Sequence, residues 1–304
     1  MIDILGKRYW YFGLSLLFIL PGLIILAVSG LPLSIEFTGG SILEVQIAAG
    51  PEPEQLRAVY TSLEIRDPAI QTTGNNTYII RTTFLDEDKR EEMLSTLGAT
   101  FGDVKLIRYD SVGPSIGEQV TQRAGWAILA SSLAVVLFLV YAFRGMSNAP
   151  LYGATTFIAI VHDIAVIFSL AGITYLLLGW EINALFLTAL LTSIGFSVHD
   201  SVVVFDRIRE NSHVLRRTPY ETLVNHSIIQ ILPRSINTQM MTAEFLLLSL
   251  ALFGGATLQQ LAVILLVGLF SGTYSSLFIA APLMLVWENS EWKKWFDSKR
   301  KATA

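Results

Sequence analysis

Apolar residues in this chain gather into long uninterrupted runs, and one polar section separates the first run from the others. The first run covers residues 9–30. The later ones fall at about 124–143, 151–178, 182–205, 236–253 and 261–287. A helix needs about 20 apolar residues to cross a hydrocarbon core of about 30 Å, so the pattern predicts six transmembrane helices. The first run follows Lys7 and Arg8 and is longer than the roughly 7–15 residues of a signal-peptide core. It reads as an uncleaved membrane helix.

Residues 31–123 change period. Ser41–Ile47 alternates as a strand does, and Pro53–Leu63 places Leu56, Val59, Tyr60 and Leu63 on one helical face. Ala69–Thr73 and Tyr78–Thr83 read as strands joined through Gly74-Asn75-Asn76, a turn signal. Asp86–Leu97 reads as a helix with an acidic first turn, favourable to its dipole, and Val104–Tyr109 as a closing strand. The order βαββαβ is that of a ferredoxin-like split unit. The fold class expected is an α-helical membrane protein with six spans and an external α+β ferredoxin-like domain between the first two. Residues 288–304 form a basic tail. The acids of the polar section are scattered and read as a solvated surface, with no metal site.

Charge distribution orients this layout. The 304 residues are 52% hydrophobic and 15% charged, with 21 Lys and Arg against 25 Asp and Glu; soluble domains carry about 25% charged residues. Basic residues precede the first span, and Arg144 lies between the second and third. Arg207, Arg209, Arg216, Arg217 and Arg234 lie between the fourth and fifth, and Lys293, Lys294, Lys299, Arg300 and Lys301 follow the sixth. The opposite loops, 179–181 and 254–259, carry none. The positive-inside rule then puts both termini in the cytoplasm and the α+β domain outside, since long translocated domains escape the rule. With no cysteine, disulfides, thiolate metal sites and a Cys nucleophile are excluded. No Walker-type phosphate loop occurs. Energy must come from a partner or an ion gradient, and no nucleotide hydrolysis or other enzyme activity is expected.

Candidate chemistry lies inside the spans. Asp200 sits before its apolar run ends, within Gly195–Asn211, beside His199 and near Ser197 and Ser201. A carboxylate at the centre of a membrane helix costs about 2.5–3.5 kcal/mol on insertion scales, so it marks a functional site. Asp200 reads as a proton carrier or relay. Three further candidates for the proton pathway are His162-Asp163 in the third span, Glu244 in the fifth, and Arg234 at the start of the fifth. His162-Asp163 reads equally as helix packing or proton relay. Alone it lacks the ligands of a metal hydrolase. Asp206, Arg207, Arg209 and Glu210 read first as a structural, solvated face. Gly268, Gly272, Ser275 and Ser276 in the last span, with Ser271, suit close helix packing.

These stretches resemble the SecF family of the SecDF protein-export factor, within the resistance–nodulation–division superfamily. The resemblance rests on Phe37-Thr38-Gly39-Gly40, Ser111–Gly117, Val161-His162-Asp163, Gly195–Asn211, Gln230–Arg234, Phe253-Gly254-Gly255 and Gly272–Ala280, in order along nearly the whole chain. Glu36, Phe196, His199, Gln239, Met241 and Glu244 depart from the family's usual residues; His199 and Glu244 would add titratable groups. The resemblance implies a heterodimer with SecD. It also implies work beside the SecYEG channel, with YajC and YidC as further associates, in the prokaryotic cytoplasmic membrane. Preproteins would be the substrate, with membrane lipids as surroundings and no nucleic acid. It implies that the proton-motive force drives late steps of export, with H+ as coupling ion, Na+ as the alternative, and no cofactor. By motif position, Asp200 matches the family's essential membrane Asp and Arg234 its partner Arg. The external domain would support the larger domain of SecD. Rival readings are a stand-alone proton-driven small-molecule transporter, a non-transporting translocon scaffold and, last, a membrane hydrolase.

Overall fold

The computed structural model describes residues 3–65, 68–74, 76–146, 148–239 and 245–291. In chain order, α1 (Arg8–Ser29) is followed by the short α2 (Ile35–Thr38), β1 (Gly40–Ile47), α3 (Pro53–Ser62), β2 (Ala69–Gly74), β3 (Thr77–Thr82), α4 (Glu87–Phe101) and β4 (Val104–Val112). Then come α5 (Pro114–Ala142), α6 (Ala149–Leu178), α7 (Ala184–Val214), α8 (Tyr220–Thr238), α9 (Phe245–Phe253), α10 (Ala256–Ser275) and α11 (Ala281–Glu288). The chain forms two compact units, Leu33–Trp126 and Met1–Pro32 with Ala127–Ala304.

In the smaller unit the strands form one antiparallel sheet in the order β2-β3-β1-β4. Period-2 alternation explains β1. Leu43, Val45 and Ile47 are fully buried, while Ile42, Glu44 and Gln46 are not. Leu56 and Tyr60 of α3 and Met93 and Leu97 of α4 complete that core. The strand expected to stop at Tyr109 continues to Val112, because Ser111 pairs with Ser41 and Val112 with Gly40. The entry to β1 needs glycine. Gly39 and Gly40 have φ of +72° and +132°, which side-chain-bearing residues avoid. Thr121 of α5 donates to the Phe37 carbonyl at 3.0 Å, so the Phe37–Gly40 stretch and the start of α5 are held together.

Among the described residues five helices are long and apolar enough to cross a membrane: Leu5–Ser29, Pro114–Ala142, Ala149–Leu178, Ala184–Val214 and Thr257–Glu288. The described residues of the sixth run, 236–239 and 245–253, belong to the end of α8 and to α9; Met241 and Glu244 lie outside the described residues, as do Lys293 to Lys301 of the tail. Two helices overrun their apolar stretches. α5 starts at Pro114, where a missing N–H costs nothing, and its first turns are polar. α7 continues to Val214 because Asp206–Arg209 and Arg207–Glu210 pair at i,i+3 spacing. The polar, basic segment after Ser212 holds a helix as well. α8 buries Leu223, Val224, Ser227, Ile228 and Ile231, a helical stripe under a mostly polar exterior.

The core of the larger unit joins Leu139, Tyr152, Val204, Phe205, Ile208, Val224, Ile228 and Met284. Tyr152 stacks on Phe143 and meets Phe205 edge-on. Between α10 and α11, residues Ser276–Ala280 form a π turn. Pro282 follows, with no N–H to give and a ring that crowds the preceding turn; the wider turn accommodates it.

A carboxylate hub between three membrane helices

Small residues bring α7 and α10 together. A Cβ on Gly268 would collide with the Ser193 hydroxyl, and one on Gly272 would lie 2.9 Å from the Ser197 Cβ. At that separation short side chains can bond from helix to helix. Asp163 of α6 stands at the centre and is fully buried. Its Oδ2 accepts from Ser197 Oγ of α7 at 2.5 Å and from Ser275 Oγ of α10 at 2.8 Å. Its Oδ1 accepts from Ser271 Oγ at 2.6 Å and lies 3.1 Å from His162 Nδ1. The other His162 nitrogen is 3.0 Å from Ser15 Oγ of α1. One side chain thus ties α6 to α7 and α10, and its neighbour ties α6 to α1.

Asp200 lies on α7 and is also buried. Its Oδ2 accepts from Gln239 Nε2 at 2.6 Å and from Thr273 Oγ1 at 3.0 Å. Ser197, on the same helix face as Asp200, turns to Asp163. Ser201 bonds Ser276 Oγ at 2.9 Å, and Ser276 also donates to the Ser197 carbonyl. A seam of hydroxyls therefore runs along α7 and α10 beside both carboxylates.

The other sequence-derived candidates sit apart. His199 is exposed on α7, and among the described residues it makes no hydrogen bond to either carboxylate. Arg234 is exposed on α8 and borders a cavity of about 310 Å³ with Val202, Asp206, Arg207, Glu210 and Gln230. It is not a partner of Asp200 in this structure; Gln239 and Thr273 hold that place. Gly268 and Gly272 lie against α7, Ser275 reaches Asp163, and Ser276 reaches Ser201. Among the described residues no cluster of three His, Asp or Glu could hold a metal. Sequence reasoning missed Ser15 and Thr273 and took Ser271 only as a small residue. The 271/275 spacing, one helical turn apart in an apolar run, was the available signal.

Residues 92–290 match the family described as protein export membrane protein SecD/SecF, C-terminal, and residues 24–49 match the SecD/SecF GG motif. Protein translocase subunit SecF of Anaerolinea thermophila is 54% identical over 299 residues, covering 97% of each chain. The protein of the same name from Thermobaculum terrenum is 38% identical over 310 residues, again covering 97% of each. The crystal structure of SecDF from Thermus thermophilus, titled a translocon-associated membrane protein, matches with a TM-score of 0.78 at 30% identity; the match covers 95% of this chain and 39% of that one. Two motifs, nearly full-length relatives and a shared three-dimensional arrangement agree: the chain belongs to the SecD/SecF family of protein-export membrane proteins.

Proposed function

We propose that this chain is a SecF-type protein translocase subunit and that proton exchange at Asp200 drives its part in preprotein export. The observation that carries the drive is a buried carboxylate in a membrane helix whose hydrogen-bond partners among the described residues are the neutral Gln239 and Thr273. A carboxylate held only by neutral donors can take up a proton without breaking an ion pair. Arg234 pairs with Asp200 in a second state, reached when the end of α8 moves. H+ is the coupling ion, with Na+ the alternative that flux measurements separate. The subunit hydrolyses no nucleotide.

The working assembly pairs this chain with a SecD-like chain. In support, the Thermus thermophilus relative carries both names in one chain, and this chain covers 35% of its length. SecYEG, with YajC and YidC, completes the setting in the cytoplasmic membrane. Both termini are cytoplasmic, and residues 236–253 complete six spans. The unit Leu33–Trp126 is an external ferredoxin-like domain, supported by its βαββαβ order and its β2-β3-β1-β4 sheet.

One charge crossing 100 mV is worth about 2.3 kcal/mol, or about fifty-fold in an equilibrium. Asp200→Asn should therefore cut gradient-dependent export by about fifty-fold and abolish coupled proton flux in vesicles, while partner association persists. Wild-type export and flux in that variant would overturn the reading.

A further inference from the structure

We infer that His162 and Asp163 form a second protonation site, separate from Asp200, whose charge state is read by Ser275 at the end of α10. The inference rests on the proton-driven reading above and extends it.

The hydrogen bonds carry the argument. Among the described residues Asp163 has no Arg or Lys partner, only the hydroxyls of Ser197, Ser271 and Ser275 and the His162 ring. When Asp163 is ionised, all four are donors toward it, so His162 Nδ1 carries hydrogen. The ring's Nε2 then meets the Ser15 hydroxyl, which can donate or accept, so both the neutral and the charged ring fit. His162 also borders a cavity of about 290 Å³, mostly apolar in its lining, to which Ser15, Ser271 and Tyr274 add hydroxyls. A proton added at Nε2 makes the imidazolium. The Nδ1–H bond then breaks as an O–H bond forms on Asp163 Oδ1, leaving a neutral ring protonated at Nε2 and a neutral carboxyl. One proton enters and one moves, with no change in electrons.

Ser275 is the reporter because it has two acceptors. Its hydroxyl lies 2.8 Å from Asp163 Oδ2 and 3.1 Å from the Gly272 carbonyl of its own helix. A charged acceptor makes roughly twice as strong a bond as a neutral one. Neutralising Asp163 shifts Ser275 toward Gly272 and loosens α10 from α6 immediately before the π turn at Ser276–Ala280. The other titratable groups facing the pair are Tyr11 of α1, Asp200 of α7 and Tyr274 of α10. Tyr274 donates to the Tyr11 carbonyl and stacks on the His162 ring.

The test is infrared difference spectroscopy of the carboxyl stretch as pH is lowered, on the full chain purified with its membrane partner and placed in lipid vesicles. Two protonating carboxyls are expected, one lost in Asp163→Asn and the other in Asp200→Asn. Ser275→Ala should move the midpoint of the Asp163 signal by about one pH unit, tenfold in proton affinity, and leave the Asp200 signal in place. His162→Gln should slow or remove the Asp163 signal alone. An Asp163→Asn spectrum identical to wild type overturns the inference. If that variant does not fold, a Ser275→Ala protein with both midpoints unmoved does so. Loss of only the Asp200 signal from wild type would instead refute the reading of Asp200 and leave this one standing.

Discussion

Asp163 and Asp200 are buried carboxylates on adjacent helices of one bundle, yet their surroundings differ. Asp163 is inaccessible and collects three hydroxyls and a histidine from its own helix and two others. Asp200 is 8% exposed and collects one amide and one hydroxyl. Depth alone does not set the role of a membrane acid. What separates the two is how many interhelical hydrogen bonds are lost when the carboxylate is removed, three at Asp163 and two at Asp200. Asp163 is therefore the stronger joint of the two.

The largest expected effect tests that difference directly. Interhelical hydrogen bonds in membrane proteins average about 0.6 kcal/mol and reach about 1.7. Asp163→Ala removes three, all at short distance, and should destabilise the bundle by about 2–3 kcal/mol. Asp200→Ala should cost about 1 kcal/mol on the same scale. Unfolding of the full chain by denaturant in lipid–detergent mixtures measures both. Equal losses would erase the distinction between joint and exchange site.

A middle-sized effect probes the packing beneath it. Gly272→Ala places a methyl 2.9 Å from the Ser197 Cβ, so α7 and α10 must separate. Overpacking of this kind costs about 1–3 kcal/mol, and a small Ser197 side chain gives no relief because its backbone Cα lies 3.0 Å from the same methyl. The loss should be smaller in an Asp163→Ala background, where the Ser197 bond is already gone. Full additivity would show that Gly272 spaces the helices without supporting the hub.

Much of this was legible in the sequence. Apolar run length marked the spans, and Leu43, Val45 and Ile47 marked β1 by alternation. The cost of burying a carboxylate singled out Asp163 and Asp200 before any contact was known. The partners of those acids were hidden because they depend on helix rotation. Ser197 lies on the face of Asp200 by spacing but bonds Asp163, and Ser271 and Ser275 gain meaning only once α6 faces α10. α8 was hidden for another reason. Uncharged polar residues such as Thr222, Asn225, Ser227 and Gln230 interrupt its apolar pattern, and its buried stripe, Leu223 to Ile231, is short. Gly22 and Gly172, where a Cβ on either would strike the opposite backbone of α1 and α6, carry no motif that distinguishes them from other membrane glycines.

The smallest effect comes from a third carboxylate, which completes the contrast. Glu291 is held by a cation: Arg8 Nη2 lies 2.7 Å away, and Tyr9 OH donates at 3.0 Å. Burial by itself would raise its pKa, but the Arg8 and Tyr9 bonds outweigh burial and hold the carboxyl below its usual value of 4.5. A lowered folded-state pKa stabilises the fold at pH above the unfolded value. That contribution disappears as pH falls through the folded one. Partly exposed ion pairs contribute about 1 kcal/mol or less, so Arg8→Ala should cost that much at neutral pH and nothing in acid well below pH 4.5. The loss should also shrink at high salt. Melting temperatures of wild type and Arg8→Ala, compared across that range, read the difference. A gap that persists in acid would mean that Arg8 acts through its bond to the Leu5 carbonyl at 2.9 Å and not through Glu291. The acid-sensitive clasp would then not exist, and the contrast between a carboxylate fixed by a cation and two held by neutral donors would lose its third point.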